Sequence, residues 1–210
     1  QVTIIVNSNP TVSFTVSGSG LCSGSQVSFN STVSGNGSDY FWDFGDGNNS
    51  VQANPSHVFN VLGCGTSTFN VTLTVTDDNG CSSSFTQSVE VLEKPDLMFE
   101  DAGYIPGFNL PFIKCATEGT YELTVLNSSP SNSCVTNYVI DWGDGTPLET
   151  GATFPATHTY IEQGIFDLVI SASGSNGCSS AEIIEVAFAS SPAGGLSSPG
   201  STVGLCLPVA

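Results

Sequence analysis

Arginine is absent from this chain, and the only basic side chains are Lys94 and Lys114. Against them stand 19 Asp and Glu residues, which gives a formal net charge of −17. A protein with so few cations cannot neutralise the phosphates of a nucleic acid, so no nucleic-acid partner is expected. Attraction to an anionic membrane surface fails for the same reason. The acidic balance instead suits a secreted protein that can meet divalent cations.

Charged residues of both signs make up only 10% of the chain, against about 25% in an average domain. The surface must therefore consist largely of Ser, Thr, Asn and Gly. No apolar run approaches the ~18 residues of a membrane-spanning helix, so no membrane insertion is expected. Hydrophobic residues reach 39%, with 13 Phe and 5 Tyr, which is enough for two buried cores.

Helical periodicity is missing, whereas alternation of polar and apolar residues recurs along the chain. It is clearest in 69–76, where Phe69, Val71, Leu73 and Val75 are predicted to face a core. Short strands of this kind, separated by turn signals every ~8–12 residues, are typical of a β-sandwich. The predicted fold class is therefore all-β.

A block of aromatic, acidic and glycine residues occurs twice, as Tyr40–Gly47 and Tyr138–Gly145, and a histidine follows each copy. Glycine on both sides of an aspartate permits a tight turn, and the carboxylate can accept backbone N–H groups across it. Recurrence about one domain length apart predicts tandem modules. The signature residues are Trp42, Asp43, Gly45, Asp46, Gly47, His57, Asp141, Trp142, Gly143, Asp144, Gly145 and His158.

Three similar β-branched strands, each followed by a proline, divide the chain into repeats. On this basis residues 1–8 are predicted to be the last strand of a preceding repeat. Residues 9–94 and 95–190 are predicted as two complete modules, and 191–210 as the start of a third repeat or a linker. We therefore expect the chain to be part of a longer array.

Three segments of the first repeat resemble the PKD (polycystic kidney disease) domain. They are the aromatic-Trp-Asp-Phe-Gly-Asp-Gly block at 41–47, the Pro-x-His-x-aromatic segment at 55–59, and the strand that leads into Thr-Asp-x-x-Gly at 76–80. The resemblance covers nearly all of 10–188 in two copies. It implies tandem immunoglobulin-like sandwiches that serve for spacing, adhesion and contact with carbohydrate or protein, and it does not imply catalysis.

The second copy departs from the first at two aromatic positions. Ile140 stands where the first copy has Trp42, and Trp142 stands where it has Phe44. The core packing of the second module is therefore expected to be shifted. The Asn-Gly-Cys turns of both copies are similar to those of cysteine-bearing PKD repeats in large secreted and surface proteins of Bacteroidetes-type bacteria.

Two histidines beside conspicuous aspartates raise the question of a Ser-His-Asp site. Both His57 and His158 are predicted on strands next to an acidic turn, where a hydrogen bond from Asp to imidazole would fix the loop. Neither copy has a glycine-flanked nucleophile elbow. The chain is therefore predicted not to be an enzyme.

Calcium is the only cofactor that the sequence brings into question. Asp77, Asp78 and Asp96 are oxygen donors on or near turns and form the weak candidate set. Calcium takes about six to eight oxygen ligands, and none of these stretches has the spacing of an EF-hand loop. Turn capping by aspartate is the favoured interpretation, and no metal site is predicted firmly.

The cysteines show none of the usual zinc spacings, which points to disulfides and an oxidising compartment. The candidates are Cys22, Cys64, Cys81, Cys115, Cys134, Cys178 and Cys206.

The resemblance to an immunoglobulin-like fold leaves three sets of pairs open. The favoured set joins the two modules through Cys64–Cys134 and Cys22–Cys178. A second joins Cys22 to Cys64 and Cys134 to Cys178. A third joins Cys22 to Cys81 and Cys115 to Cys178.

These observations predict a non-enzymatic, extracellular structural repeat protein, part of a cell-surface adhesin, stalk or filament. Its expected partners are further repeats of the same protein, in a homo-oligomer or filament, and surface glycans. The alternative is a carbohydrate-binding or spacer module of a secreted hydrolase. That alternative would need an exposed aromatic platform, for which Tyr104, Phe108 and Phe112 are the candidates.

Overall fold

The computed structural model describes residues 8–35, 37–106, 110–116 and 118–189. The chain forms two compact units, unit 1 (Gln1–Lys94) and unit 2 (Pro95–Ala210). The predicted flanking segments at 1–7 and 191–210, together with Phe108 and Cys206, lie outside the described residues.

Unit 1 consists of two sheets, which have the strand orders β1-β3-β6 and β2-β8-β7-β4-β5. Its named strands pair in the antiparallel direction, except that β2 and β8 are parallel. The strands are β1 Thr11–Ser17, β2 Leu21–Cys22, β3 Gln26–Ser34, β4 Gly37–Asp43, β5 Asn49–Ser50, β6 Ser56–Val58, β7 Thr66–Asp77 and β8 Ser82–Leu92.

Unit 2 repeats this topology, with the strand orders β9-β11-β14 and β10-β16-β15-β12-β13. A short 3-10 turn, Asn132–Cys134, precedes β12. The strands are β9 Phe99–Asp101, β10 Ile113–Cys115, β11 Tyr121–Asn127, β12 Val135–Asp141, β13 Glu149–Thr150, β14 Ala156–Tyr160, β15 Gly164–Gly174 and β16 Ser179–Ala189.

The core of unit 1 lies between its two sheets because the strands alternate in polarity. In β7, Val71, Leu73 and Val75 are fully buried as predicted, and Phe69 is partly buried against the same cluster. Trp42 of β4 fills the centre and is fully buried. The remaining buried members are Phe14, Val27, Phe29, Phe44, Phe59, Val89 and Val91.

The core of unit 2 is built in the same way but with different side chains. Ile140 takes the central position on β12 and is fully buried, as are Leu168 and Ile170 on β15. Buried aromatic residues complete this cluster: Phe99, Tyr121, Tyr138, Trp142, Tyr160 and Phe188.

The predicted all-β fold made of immunoglobulin-like sandwiches is confirmed by these paired sheets in each unit. Within the described ranges, no helix is long and apolar enough to cross a membrane.

Candidate functional site

The acidic block of unit 1 forms a tight turn between β4 and β5. Asp43 Oδ1 accepts the backbone N–H of Gly45 at 2.9 Å. Gly45 has a φ of +79°, and a Cβ atom there would lie 2.8 Å from the carbonyl oxygen of Asn70. Only glycine fits both the conformation and this close approach to β7.

The second aspartate of the block binds the histidine of β6. Asp46 Oδ2 lies 2.7 Å from His57 Nε2, and each of the two side chains is 15% exposed. Asp46 also accepts the backbone N–H of Asn48 at 3.0 Å and its side-chain N–H at 3.1 Å. The imidazole stacks on the ring of Phe44, with centroids 4.2 Å apart and planes 3° apart. We call this arrangement the Asp–His clamp of unit 1.

Unit 2 contains the same clamp. Asp144 Oδ2 lies 2.8 Å from His158 Nε2, and His158 stacks on Trp142 at a centroid distance of 4.7 Å. Thr146 donates its backbone N–H and its hydroxyl to Asp144 Oδ1, at 3.1 Å and 2.6 Å. Gly143 has a φ of +77° and packs against the backbone of Asp167.

The clamps stabilise ionised carboxylates. Burial acts to raise the pKa of Asp46, but the hydrogen bonds from His57 and Asn48 outweigh it and hold that pKa below its ordinary value. Burial likewise acts to raise the pKa of Asp144, yet the hydrogen bonds from Thr146 and His158 lower it to about 2. Both aspartates therefore carry their negative charge at neutral pH.

This geometry fixes a loop. Each histidine uses Nε2 to contact a carboxylate. Among the described residues, no nucleophilic side chain of serine, threonine or cysteine is hydrogen-bonded to either histidine.

Comparison with known proteins identifies the family of this chain. The sequence profile described as PKD domain matches residues 7–92. The PKD1 domain of Vibrio anguillarum Epp, a solved structure, is 30% identical with a TM-score of 0.36, over 42% of this chain and 99% of that domain. The chain belongs to the PKD domain family.

Two curated relatives contain the matching segment. The pre-pro-metalloprotease PrtV of Vibrio cholerae is 39% identical over 71 residues, which are 34% of this chain and 7% of that protein. The collagenase ColA of Bacillus cereus is 37% identical over 99 residues, 45% of this chain and 9% of that protein. The chain thus spans less than a tenth of the length of either relative.

The second PKD-like unit is recognised by its strand order and its clamp. His57 precedes Phe59 in unit 1, and His158 precedes Tyr160 in unit 2, each with ring contacts between the two side chains. Tyr160 also donates its hydroxyl to the carbonyl of Trp142 at 3.0 Å, a bond that the phenylalanine of unit 1 cannot make.

Among the calcium candidates, the carboxylate of Asp77 serves other bonds in the PKD fold. Asp77 is only 7% exposed, and its Oδ1 accepts the backbone N–H groups of Asn79 and Cys81 at 2.9 Å and 2.8 Å. Asp96 donates its backbone N–H to Ser131 Oγ. Within the described part of the chain, no three His, Cys, Asp or Glu residues gather as metal ligands. The calcium candidates stay a prediction.

Five of the predicted cysteines, Cys22, Cys64, Cys115, Cys134 and Cys178, are disulfide-bonded.

The prediction that Cys81 forms a disulfide is wrong, because its thiol is free. Cys22 pairs with Leu92, at the far end of β8 from Cys81. The length of β8 separates them by roughly 30 Å, whereas a disulfide needs Cα atoms within about 7 Å. The same argument excludes a Cys115–Cys178 bond, because Cys115 lies beside Ala189 at the opposite end of β16 from Cys178.

Backbone hydrogen bonds place the remaining cysteines at particular ends of their sheets. Cys22 and Cys64 both lie at the end of the β7–β8 ladder that contains Leu92. In unit 2, Ser175 N–H donates to the carbonyl of Cys134, and Gly174 N–H donates to that of Cys178.

Of the three candidates for an exposed aromatic platform, Tyr104 and Phe112 lie among the described residues. Phe112 packs partly buried against the core of unit 2, and its N–H donates to Asp101 Oδ2 at 2.9 Å. Asp101 also accepts the N–H of Gly103 at 2.7 Å, so one carboxylate holds both ends of the segment between them. Tyr104 is 42% exposed.

Sequence reasoning missed this anchoring role of Asp101. It also missed Glu93, whose carboxylate accepts from Gly65 N–H at 3.0 Å and Ser67 Oγ at 2.8 Å. Phe112 and the two partners of Glu93 are distant in the sequence from the carboxylates that bind them, so no short motif indicates these contacts.

Proposed function

We propose that this chain is a non-catalytic, load-bearing module of an extracellular protein, built from tandem PKD units. The single observation that carries the proposal is the clamp. In both units, the side chains that look reactive are used to hold the turn to the strand that carries the histidine. A duplicated framework with no attached chemistry suits a mechanical role.

Disulfide bonding supports the extracellular part of the proposal, because such bonds persist mainly in oxidising compartments. The positions of the cysteines favour Cys22–Cys64 in unit 1 and Cys134–Cys178 in unit 2. Each pair lies at one end of its own unit, where backbone bonds already bring the chain segments together. We propose these two pairs in place of pairs that join the units.

Single-molecule stretching of the full chain tests the load-bearing role. We expect two unfolding events, because each unit has its own core. Under non-reducing conditions each disulfide should shield its loop of about 40 residues, so reduction should lengthen each event by roughly 140 Å. Extension without any resisted unfolding event would contradict the proposal.

Hydrolysis assays on protein and polysaccharide substrates test the non-catalytic part. The full chain should release no product from gelatin, casein or soluble glycans. If product formed and disappeared in both the His57→Gln and His158→Gln variants, the clamp would be an active site and the proposal would fail.

Self-association along a cell-surface filament or stalk extends this proposal. The supporting observation is β1 of unit 1, which stands at the edge of its sheet order with seven residues. Edge strands offer backbone groups for pairing with a second chain. Light scattering over a concentration series should show oligomers, and a monomer at every concentration would remove this part of the proposal.

A second candidate function is that of an accessory spacer in a secreted hydrolase. The observation that favours it is the similarity to segments of a metalloprotease and of a collagenase. It predicts that the chain is retained on an insoluble substrate such as collagen fibres. Sedimentation with collagen separates the candidates, since a pure spacer for a filament should stay in the supernatant.

A further inference from the structure

Unit 2 contains a surface pocket. Neither of the two pockets described in unit 1 has the corresponding lining. The lining of the pocket in unit 2 includes Asn127 and Asn132 on one side and Phe154 and Pro155 on the other, with Tyr138 between them. We propose that this pocket binds one neutral sugar residue of a glycan, a function separate from the load-bearing role proposed above.

The polar side of the pocket is held in place by a closed set of hydrogen bonds. Asn127 Nδ2 donates to Asn132 Oδ1 at 3.1 Å and to the Tyr138 hydroxyl at 2.9 Å. The Tyr138 hydroxyl donates to Asn132 Oδ1 at 3.1 Å. Asn127 Oδ1 accepts the backbone N–H of Ser129 at 2.9 Å. These bonds fix the amide planes before any ligand arrives, which reduces the entropy lost on binding.

This network leaves donors of Asn132 and a lone pair of Asn127 for a ligand. An asparagine amide has two N–H donors and an oxygen with two lone pairs. Asn132 uses its oxygen twice, while its Nδ2 donates to no described residue. Asn127 Oδ1 has one lone pair beyond the bond from Ser129. A donor pair beside an acceptor matches adjacent sugar hydroxyls, each of which both donates and accepts.

The opposite side of the pocket is apolar and packs against other aromatic rings. Phe154 stacks on Phe99 with centroids 5.3 Å apart and meets Tyr138 edge-to-face at 5.1 Å. Its ring and the neighbouring Pro155 supply a wall for the C–H groups of a sugar ring. Aromatic walls with a few placed polar groups are characteristic of small-ligand sites.

The lining of the pocket favours a neutral ligand, because it contains no charged side chain. Amides, a phenol, a threonine hydroxyl and apolar groups make up the lining, which contains neither a carboxylate nor a basic side chain. An anion would have no cation to pair with, and the net charge of −17 would repel it. A metal ion or an organic cation would find no carboxylate. A neutral polyhydroxylated ring fits the groups that are present.

The chain differs locally between the two units in the region of this pocket. In unit 1, β3 ends at Ser34 and β4 begins at Gly37, so the connection is short. In unit 2, β11 ends at Asn127 and β12 begins at Val135, and the longer connection includes the 3-10 turn that carries Asn132. Unit 1 has Ser31 bonded to Asn54 in the corresponding region.

Saturation-transfer NMR on the full chain tests the proposal. The probes are the methyl glycosides of glucose, galactose, mannose and N-acetylglucosamine, and then cellohexaose and maltohexaose. We expect at least one neutral probe to receive saturation. Transfer confined to one residue of a hexaose would identify a glycan ligand, and transfer to methyl glycosides alone would identify a free sugar.

The decisive variant is Asn132→Asp, which keeps the oxygen that holds the network and removes both spare donors. It should weaken binding about tenfold, as should Asn132→Ala. The matched control is Asn137→Ala, an exposed asparagine of the same unit outside the pocket. Saturation of no neutral probe, or binding unchanged in Asn132→Asp, would overturn the proposal. Saturation of a proline-rich peptide in place of every sugar would do so as well.

Discussion

Each unit has the same Asp–His clamp, but the two cores are filled by different side chains. In unit 1 the central β4 position is Trp42, which donates its indole N–H to the carbonyl of Gln52 at 2.9 Å, and Phe44 lies under the histidine. In unit 2 the corresponding positions are Ile140 and Trp142, so the tryptophan has moved under the histidine. The bond from Asp to His is 2.7 Å in one unit and 2.8 Å in the other.

Unit 2 has a further aromatic residue in another strand connection, and we expect it to compensate for the smaller Ile140. Four residues before the clamp histidine, unit 2 has Phe154, which packs against its core, while unit 1 has the exposed Ala53. A close-packed interior tolerates such exchanges when total volume is kept. The same clamp is therefore compatible with two different rings under its histidine, Phe44 in unit 1 and Trp142 in unit 2.

The largest expected effect comes from breaking this volume exchange. Trp42→Ile should destabilise unit 1 by about 3 kcal/mol, because it leaves a cavity and removes the indole hydrogen bond. Adding Ala53→Phe, as unit 2 has it, should recover about 1 kcal/mol. Hydrogen exchange of β7 amides measures both. The control is Ala53→Phe alone. If the stability changes of the two single variants simply add in the double variant, the phenylalanine does not compensate for the lost tryptophan.

Removing the proposed disulfides should have an effect of similar size. The double variants Cys22→Ser/Cys64→Ser and Cys134→Ser/Cys178→Ser should each destabilise their own unit by about 2–4 kcal/mol, since each loop is of similar length. Cys81→Ser serves as the control and should change stability by less than about 0.5 kcal/mol. Alkylation before reduction should label Cys81. A thiol liberated at Cys178 by Cys22→Ser would favour pairs between the units.

Acid should weaken both clamps. The pKa of Asp144 is about 2 in the folded chain, against an ordinary value of 3.8, so the ionised form stabilises unit 2 above pH ~4. That contribution should fall as the pH drops from about 4 to about 2. The pKa of Asp46 is lowered too, so unit 1 should weaken in the same direction. Carboxylate NMR titration measures both, and a pKa at or above 3.8 for Asp144 would contradict the assignment.

The smallest expected effect concerns the hydroxyl that unit 2 adds to its clamp. Thr146→Val keeps the side-chain shape but removes the 2.6 Å bond to Asp144. The pKa of Asp144 should rise, and unit 2 should lose about 1 kcal/mol. Thr159→Val, an exposed threonine on β14, is the matched control. Equal effects of the two substitutions would mean that the hydroxyl bond contributes nothing.

Local sequence patterns were enough to predict much of this architecture. The alternation at 69–76 predicted a buried face, and the acidic block predicted the turn, because both depend on neighbours within a few residues. The change from Trp42 to Ile140 and from Phe44 to Trp142 was visible as a departure in the second copy, and the two cores indeed contain different side chains.

Features that depend on distant parts of the chain were not predictable in this way. Cys81 has the same turn position as the bonded Cys178, and only the fold shows that the cysteines of its unit lie at the other end of β8. The pocket between Asn127 and Phe154 joins segments that are separate in the sequence. Asp101 likewise accepts from residues on both sides of an insert whose conformation no periodicity predicts.

A double-mutant cycle across each clamp tests the central claim most directly, namely that the Asp–His pair is structural. Unfolding of unit 1 is followed by the fluorescence of Trp42 in a Trp142→Phe background. The variants are Asp46→Ala, His57→Ala and the two substitutions together. The corresponding set in unit 2 uses Trp142 in a Trp42→Phe background. The account predicts a coupling of about 1.5–3 kcal/mol in both units. Coupling near zero in both would contradict it.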